Sequence, residues 1–589
     1  MVIHRGTRVR ARTRAALVAS CAMSAGLWLG TGTAQADAST QGLTCSMGAL
    51  SGLIDGMTIQ SATSVAAAGG TPAYCDVKGS LATSGEDAPP GAAAFEIQLP
   101  ANWNGKFLFF GVGGLAGSTY ADFSANPVDL KEALPRGYAT AITDEGHQAG
   151  NTDASWSLLG NGAPNRPALV DYYYRATHEV TVAAKQLVQT YYGGSISYAY
   201  FDGCSNGGRQ AMVEASRFPQ DYDGIISGAP FLDLRTIIGG AKAAKALFAS
   251  DTSYLPASML PAIDAAVNAA CDAADGTTDG LIQNPAACHV RPEQLVCKNG
   301  ATTNCLSEDQ AAFLSSYIGA LRDQDGDLVY PGFSITNLSN GGMDAWTVGT
   351  TLPTAPGTAE PWGNDGFSPA PYGFQFVDHI IQDIIARDPS YDVFSYPVTT
   401  DGVVTTAVLR QFDQRTAAAD AGSPFDYQAF LDQGRKMIWY HGLSDPALPP
   451  FRDFVLYEQL ARLVPGGYDR LQKQMRLFMV PGMQHCGGGV GPNFFDTLSP
   501  LEAWVEHNQP PASIEAAHYP NNNPTAGAPD RTMPLCPFPT QASLTGVNVN
   551  VASSWSCQPN RDMLKVGLDG RLAGLRGGGQ VSLPPTLAP

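Results

Sequence analysis

One serine in the sequence is placed for nucleophilic chemistry. The segment SYAYFDGCSNGGRQAM, residues 197–212, is typical of a β-strand, a tight turn and the start of a helix, with Ser205 in the turn. The pentapeptide GCSNG, residues 203–207, matches G-x-S-x-G, the strand-to-helix elbow that raises a serine hydroxyl above the edge of a sheet. A turn that merely contains a serine is the alternative, and the flanking strand and helix favour the elbow.

A serine hydroxyl needs a base and an orienting carboxylate to become a nucleophile at neutral pH, and after such an elbow they follow in the order Asp or Glu, then His. Asp445 comes just after the apolar run RKMIWYHG, and His485 comes just after MRLFMVPG. Open α/β sheets build their sites where strands end, so both residues are predicted triad members. Three other histidines compete as the base: His147, His178 and His441. We expect His178, within a helix, to be a packing or capping residue and His441 to be structural.

A cysteine stands next to the candidate nucleophile and another next to the candidate base. Cys204 precedes Ser205, and Cys486 follows His485. If the serine and the histidine lie within hydrogen-bond reach, the two cysteines are close enough for a disulfide. We therefore predict a Cys204–Cys486 bridge that holds nucleophile and base in register. Two free buried cysteines are the alternative.

Acyl transfer also needs an oxyanion hole, which is built from two backbone N–H donors. The residue after the nucleophile, Asn206, is predicted to give the first donor. The glycine-rich segment FGVGGLAG, residues 110–117, is predicted to give the second through Gly114. Glycines that serve only a tight turn are the alternative.

The elements that must position these residues follow from seven apolar runs of strand length: 93–100, 106–114, 138–146, 196–203, 223–230, 435–442 and 475–482. Helical patterns lie between many of them, and the longest covers residues 171–193. Alternating strands and helices predict a mostly parallel α/β sheet.

That alternation stops between residues 231 and 432, a segment rich in Gly, Pro, Asn and Asp. It predicts a lid domain, residues 231–432, inserted into a catalytic domain made of residues 37–230 and 433–589. The lid contains aromatic residues that suit stacking on an aromatic acid or, alternatively, form its own core: Trp346, Trp362, Phe367, Tyr372 and Phe374. No single basic residue of the insertion stands out as a partner for a substrate carboxylate.

The first 36 residues have the pattern of an export signal. Five arginines precede an apolar run, and Ala34-Gln35-Ala36 follows as a small-residue cleavage pattern. A membrane anchor, the alternative, needs about 20 apolar residues, and this run is shorter. We expect a secreted or periplasmic protein with no membrane anchor after cleavage. Loss of Cys21 would leave ten of the eleven cysteines, an even number that favours disulfides in an oxidising compartment.

The sequence is strongly acidic. Its formal net charge is −18, and removal of the five signal arginines would bring it to −23. Such a surface repels nucleic acid and anionic membranes, so neither is expected as a partner.

The motifs together resemble those of the tannase and feruloyl esterase family of secreted α/β-hydrolases, some of which hydrolyse terephthalate monoesters. The matching residues are Cys204-Ser205, Asp445 and His485-Cys486, and phrases such as LPANWNGKFLFFGVGG and GCSNGGRQAMVEASRFPQDYDGIISGAP agree. The resemblance implies an α/β-hydrolase fold with a large inserted lid domain, and a serine carboxylic-ester hydrolase for small esters of aromatic acids, feruloyl or galloyl esters first. The alternatives are a hydrolase of terephthalate or other synthetic aromatic monoesters and a non-catalytic binding module on this scaffold.

A second pattern lies in the loop CDAADGTTDGLIQNPAAC, residues 271–288. Asp272, Asp275 and Asp279 recur in it as oxygen ligands do around calcium, although the spacing is not that of an EF-hand. The family resemblance implies a structural Ca²⁺ held by these three residues and by the carbonyls of Thr277 and Leu281; a solvated acidic turn is the alternative. It also implies four further disulfides: Cys271–Cys288, Cys297–Cys305, Cys536–Cys557 and Cys45–Cys75.

Overall fold

The computed structural model describes residues 42–119, 125–285, 288, 290–299, 301, 303–363, 370–559, 564–566 and 572–574. The predicted export signal, residues 1–36, and the lid residue Phe367 lie outside the described residues.

A nine-stranded mixed sheet forms the centre of the fold. The strands of the described residues are β1 Met57–Val65, β2 Tyr74–Thr83, β3 Gly91–Pro100, β4 Lys106–Phe110, β5 Ala139–Thr143, β6 Tyr198–Cys204, β7 Gly224–Gly228, β8 Leu321–Arg322, β9 Leu328–Tyr330, β10 Lys436–Gly442, β11 Met475–Val480, β12 Ile514–His518, β13 Arg531–Leu535, β14 Thr540–Leu544, β15 Trp555–Pro559, β16 Leu564–Val566 and β17 Leu572–Gly574. The order across the large sheet is β1-β2-β3-β5-β4-β6-β7-β10-β11.

The sheet changes character at β5. From β1 to β5 the neighbouring strands are antiparallel, and from β5 through β4, β6, β7 and β10 to β11 they are parallel. The parallel strands are apolar and almost wholly buried: all residues of β5 and β7 are buried, and only the first residue of β4, β6 and β10 is not. Burial on both faces is what parallel strands with helical crossovers require.

Helices connect most of these strands. The α-helices of the described residues are α1 Met47–Leu50, α2 Pro127–Glu132, α3 Arg166–Val170, α4 Ala176–Tyr192, α5 Asn206–Arg217, α6 Thr236–Leu247, α7 Leu260–Cys271, α8 Glu308–Ile318, α9 Tyr372–His379, α10 Thr406–Thr416, α11 Gln428–Asp432, α12 Phe451–Leu463, α13 Tyr468–Leu471 and α14 Leu498–His507. Three π-helical segments also occur among the described residues, at Asp171–Arg175, Asp344–Val348 and Ile380–Ala386. None of the helices in the described part of the chain has the length and apolar character needed to cross a bilayer.

The predicted helix over residues 171–193 forms as a π-helical first turn followed by α4. It ends at Gly193, which has φ 65° and whose N–H donates to the carbonyl of Gln189. A left-handed residue after the last turn is the common way to satisfy terminal carbonyls, and glycine takes that conformation without a Cβ clash.

The segment predicted as an insertion leaves the sheet and returns to it between two neighbouring strands. β7 ends at Gly228, β10 begins at Lys436, and the two pair in parallel over five residues. Between them lie α6 to α11 and the two-stranded β8–β9 ribbon. The chain between them is therefore free to build a separate layer without breaking the sheet.

Candidate active site

Ser205 lies at the turn between β6 and α5. Its backbone has φ 63° and ψ −122°, a conformation rare for a residue with a side chain, which costs about 1–3 kcal/mol and persists only where the surroundings impose it. Glycine is required beside it: a Cβ on Gly203 would lie 2.4 Å from the Gly207 carbonyl oxygen, and one on Gly208 would lie 2.2 Å from that of Gly228. The sequence therefore forms the sharp elbow that the motif predicts.

The three residues predicted as a triad lie together. His485 Nε2 is 2.8 Å from Ser205 Oγ, and His485 Nδ1 is 2.7 Å from Asp445 Oδ2. Asp445 follows β10 and His485 follows β11, so parallel pairing of these strands brings both residues to one edge of the sheet. In the tautomer that donates from Nδ1, the imidazole accepts the serine proton at Nε2.

Asp445 is held by four donors. Its Oδ1 accepts hydrogen bonds from the backbone N–H groups of Ala447 and Leu448 at 2.7 and 2.9 Å, and its Oδ2 lies 3.1 Å from His441 Nε2 as well as next to His485. Burial acts to raise the pKa of Asp445, but the charge of His485 and the hydrogen bonds from His441 and His485 outweigh it and hold the pKa well below its usual range. The carboxylate therefore stays ionised while it orients the imidazole and stabilises its protonated form.

His441 extends this chain of hydrogen bonds away from the serine. Its Nδ1 lies 2.7 Å from Asp453 Oδ2, which also accepts a 2.6 Å hydrogen bond from Trp439 Nε1. Burial acts to lower the pKa of His441, but Asp453 and Asp445 outweigh it and raise the pKa to about 10. His441 is thus a buried cation between two carboxylates, and its expected structural role takes the form of a direct contact with the triad carboxylate.

The two predicted oxyanion donors both face the cleft in front of Ser205. Asn206 is the first residue of α5, where an N–H has no partner within its helix. Gly114 has φ 63°, and a Cβ there would lie 2.2 Å from the Asn151 carbonyl oxygen, so only glycine fits. Within the described residues neither N–H has an intramolecular acceptor, as a hole that binds an oxyanion requires.

A buried pair that the sequence analysis missed fixes the side chain of Asn206. Asn206 Nδ2 donates to Glu145 Oε2 at 2.7 Å and to the Val112 carbonyl at 3.1 Å, and its Oδ1 accepts from Arg209 Nε at 2.8 Å. Arg209 also contacts Glu145 at 3.2 Å, and both are fully buried. These contacts connect the elbow to the segment that carries Gly114. Their sequence signal is weak: Glu145 comes shortly after the apolar run YATAI, and Arg209 lies in GGRQAM just after the elbow.

The other two candidate bases do not contact Ser205. His147 stacks on Trp156 with 3.7 Å between ring centroids, and its Nε2 lies 2.8 Å from the Leu115 carbonyl oxygen; burial lowers the pKa of His147 to about 4. His178 stacks on Phe218, and its Nδ1 lies 2.6 Å from Asp221 Oδ2. Both are packing residues, as expected for His178.

All five predicted cysteine pairs form disulfides. Cys204 and Cys486 are joined with 6.0 Å between their Cα atoms, so the bridge connects the residue before Ser205 to the residue after His485. The other four are Cys45–Cys75, Cys271–Cys288, Cys297–Cys305 and Cys536–Cys557.

An apolar cleft opens above the triad. The space between its walls, including the part that is open to solvent, is about 870 Å³. Ser205, His485 and the two oxyanion candidates form one end, and residues of the insertion form most of the wall, chiefly from α6 and α9. The ring of Trp346 meets the His485 ring edge-on with 5.0 Å between centroids. Trp362 and Phe374 line the cleft as well, whereas Tyr372 lies beside Trp346 and is half exposed.

The predicted calcium loop collects oxygen atoms. Asp279 Oδ2 is buried without a hydrogen-bond donor, and Arg531 Nη1 lies 3.7 Å from it. Burial, with the neighbouring charges of Asp279 and Asp272, raises the pKa of Asp275 to about 7. These are the properties of carboxylates that suit a hard cation.

The backbone of the same loop limits how far these carboxylates converge. The carboxylates of Asp272 and Asp275 accept backbone N–H groups of the loop, among them those of Gly280 and Gln283. The carbonyls of Thr277 and Leu281 have no donor within the described residues. A different cluster has metal-ligand spacing in the part of the chain that the structure describes. It consists of His178, Glu214 and Asp221, whose ligand atoms all lie within 4.8 Å of one another.

That second group is explained without a metal. Burial raises the pKa of Glu214 well above its usual range, and the negative charge of Asp221 beside it adds to the rise. A proton on Glu214 removes the repulsion between the two carboxylates, and His178 Nδ1 already pairs with Asp221.

Comparisons with solved structures show the fold. Feruloyl esterase B from Aspergillus oryzae superimposes with a TM-score of 0.71 at 22% identity, covering 86% of this chain and 97% of that one. Tannin acyl hydrolase from Aspergillus niger gives 0.63 at 21% identity, covering 88% and 96%. The expected α/β-hydrolase fold is thereby confirmed.

Comparisons of sequence show the family. Mono(2-hydroxyethyl) terephthalate hydrolase of Piscinibacter sakaiensis is 32% identical over 84% of this chain and 86% of its own length. Feruloyl esterase B of Aspergillus niger is 29% identical over 78% of this chain and 83% of its own. The family profile described as tannase and feruloyl esterase matches residues 75–558. Because that match covers most of the chain, the protein belongs to the tannase and feruloyl esterase family of carboxylic ester hydrolases.

Proposed function

We propose that the protein is a serine esterase that hydrolyses esters of aromatic acids, feruloyl or galloyl esters among them, through an acyl-enzyme. The observation that carries this proposal is the continuous hydrogen-bonded chain from Ser205 Oγ through His485 to Asp445 at one end of an apolar, aromatic cleft. A nucleophile, a base and an orienting carboxylate in this arrangement constitute the machinery of acyl transfer.

In the first half of the reaction Ser205 Oγ attacks the ester carbonyl while His485 Nε2 takes the hydroxyl proton. The carbonyl oxygen becomes an oxyanion and accepts hydrogen bonds from the backbone N–H groups of Asn206 and Gly114. His485 then gives its proton to the departing alcohol, and the acyl group stays on Ser205. In the second half the same nitrogen takes a proton from water, which attacks the acyl carbon. The bond to Ser205 Oγ then breaks, His485 returns the proton to Oγ, and the acid leaves. Asp445 stabilises the imidazolium in both halves.

The Cys204–Cys486 disulfide supports this cycle by fixing the distance between nucleophile and base. Its half-cystines are adjacent in sequence to Ser205 and His485, so any separation of the elbow from the histidine segment must move the bridge. Holding reacting groups in a productive geometry is a major source of rate acceleration.

Export is part of the proposal. Five disulfides within the described residues suit an oxidising compartment, and the pattern of the first 36 residues suits a removed signal. We propose a secreted or periplasmic enzyme.

The proposal includes a structural Ca²⁺ in the 271–288 loop. Asp272, Asp275 and Asp279 with the carbonyls of Thr277 and Leu281 would hold it, since these oxygens are hard ligands and Asp279 Oδ2 lacks a donor. The loop contacts the catalytic end of the molecule, because Leu281 packs against Gly482, three residues before His485.

Calcium removal is expected to lower the melting temperature, because a ligand that binds only the native state stabilises it by about 2.7 kcal/mol at one hundred times its Kd. Differential scanning fluorimetry with and without EGTA, followed by added Ca²⁺, measures the effect. Asp279→Asn should abolish the response, whereas Asp309→Asn, a control on the exposed surface, should keep it. Calcium near zero in purified, undialysed protein would rule the site out.

An active-site label tests the enzyme proposal directly. A phosphonofluoridate is expected to inactivate the protein with a single adduct on Ser205, because the reagent reacts with a serine activated by a histidine base. Peptide mass mapping locates the adduct, and release of ferulate from methyl ferulate and gallate from methyl gallate measures the activity. Unmodified Ser205 in a protein without esterase activity would favour the non-catalytic binding module instead.

A further inference from the structure

The cleft above Ser205 has no charged wall. Of the described residues that line it, His485 is the single ionisable one, and apart from the catalytic end the polar side chains are confined to Thr236, Thr347 and the indoles of Trp346 and Trp362. The indole N–H of Trp362 is already bonded to the Thr351 carbonyl at 3.2 Å. A substrate group in this space therefore meets mainly carbon.

Cations are present on the helix that forms the wall, but they face away. Arg235, just before α6, bonds Asp413 through Nε at 2.9 Å; Lys242 donates to the Gly319 carbonyl at 3.1 Å and Lys245 to the Tyr396 carbonyl at 2.8 Å. None of the three lines the cleft. The undescribed segments 120–124 and 364–369 contain no Lys, Arg or His.

The shape of the cleft is elongated. The wall residues of α6 recur at helical spacing from Thr236 to Leu247, which at 1.5 Å per residue corresponds to roughly 16 Å. Small side chains in the middle of this face, Gly240, Ala243 and Ala244, leave the space open. At its distal end Phe248 and Trp362 meet with 5.3 Å between ring centroids.

We infer that this cleft selects esters whose buried part is uncharged, apolar and extended, and that it rejects esters carrying a carboxylate there. The inference rests on the proposed function, because it assigns the substrate of the same site. An anion placed along α6 would lose its water without gaining a counter-charge or enough hydrogen bonds, which costs far more than burying a neutral group of the same shape. Esters of neutral arylalkenoic acids fit, and terephthalate monoesters do not.

The same wall discriminates among neutral aromatic acids. Each ring hydroxyl that enters the cleft must replace its hydrogen bonds to water, and the wall offers far fewer partners than water does, namely the hydroxyls of Thr236 and Thr347 and the indole N–H of Trp346. Methyl ferulate is therefore expected to exceed methyl gallate in kcat/KM by roughly tenfold or more.

Two esters of the same size test the charge rule. Monomethyl terephthalate carries a carboxylate, and methyl 4-carbamoylbenzoate carries a neutral amide in its place. We expect kcat/KM for the amide to be roughly a hundredfold higher or more. Ala244→Lys, which adds a cation to the wall, should narrow that ratio about tenfold or more, whereas Ala244→Met, of similar length without charge, should not.

Binding to the Ser205→Ala protein separates this inference from the enzyme proposal. Quenching of tryptophan fluorescence, with Trp346 and Trp362 in the wall, reports the Kd of each ester without turnover. A Kd for monomethyl terephthalate at least about a hundredfold above that of the amide supports the inference. Equal Kd values, or equal kcat/KM values in the wild type, overturn it and leave the esterase proposal standing. Selective binding without hydrolysis of either ester or of methyl ferulate by the wild type overturns the esterase proposal alone.

Discussion

Ser205→Ala is expected to lower kcat for methyl ferulate by about a millionfold, to the level that the oxyanion hole and substrate binding support alone. The loss is of the nucleophile, since His485 then has no hydroxyl to deprotonate and no acyl-enzyme forms. The fold should persist, because the elbow is imposed by the glycines and backbone bonds around it, among them the 2.9 Å bond from the Ser205 N–H to the Gly228 carbonyl. Initial rates, with circular dichroism as a check on folding, measure the effect.

A neighbouring serine offers a matched control. Ser227 on β7 is fully buried, and its hydroxyl donates to the Gly208 carbonyl at 3.1 Å, next to the elbow but away from His485. Ser227→Ala removes one buried hydroxyl of the same kind and is expected to leave kcat within about tenfold, at a cost of about 1 kcal/mol in stability. Residual activity of Ser205→Ala within tenfold of the wild type would contradict the serine mechanism.

The site was predictable from the sequence to the extent that local pattern determines it. Ser205 follows from an elbow whose glycines are sterically required, and Asp445 and His485 follow from their positions just after apolar runs. Parallel strands in one sheet end at one edge, so three residues far apart in sequence had to meet. The bridge between Cys204 and Cys486 then followed, because each cysteine is the sequence neighbour of a triad residue.

Residues that act through long-range contacts were not predictable in this way. Glu145 and Arg209 are far apart in sequence, and neither belongs to an apolar period, so nothing local indicates that they pair around Asn206. His441 was expected to be structural, yet its two ring nitrogens face Asp445 and Asp453, an arrangement that depends on how β10 leads into α12.

The strands were likewise predictable where a local apolar pattern marks them and not elsewhere. The buried parallel strands were predicted within a few residues, although the run at 106–114 yields a strand only to Phe110, because its glycines turn away from the sheet to build the site. The antiparallel strands β1 and β2 were missed. Buried and exposed residues alternate in the first part of β1, and the rest of the strand is not buried. It therefore lacks the continuous apolar run that marked the central strands.

Asp445→Asn is expected to lower kcat about ten-thousandfold, the effect of presenting the wrong tautomer of the base. An amide nitrogen is a donor, and every partner of this side chain is a donor too. With its oxygen toward His485, the amide turns its NH₂ against the N–H groups of Ala447 and Leu448. With its oxygen toward that backbone, the NH₂ faces His485 Nδ1 and forces the proton onto Nε2, where it blocks the approach to Ser205.

Asp453→Asn is the matched comparison, since it changes the same group one step further from the serine. It leaves all four donors on Asp445 in place and changes only the partner that His441 and Trp439 share, so kcat should fall at least about a hundredfold less than in Asp445→Asn. The rate of Ser205 phosphonylation, measured in both variants, reports the base without any contribution from substrate binding. If kcat fell by the same factor in both variants, the orienting function would belong to the whole hydrogen-bonded series of Asp445, His441 and Asp453. A larger loss in Asp445→Asn instead requires that the direct contact with His485 sets the tautomer, because both variants place an amide against His441 and only Asp445→Asn places one against His485.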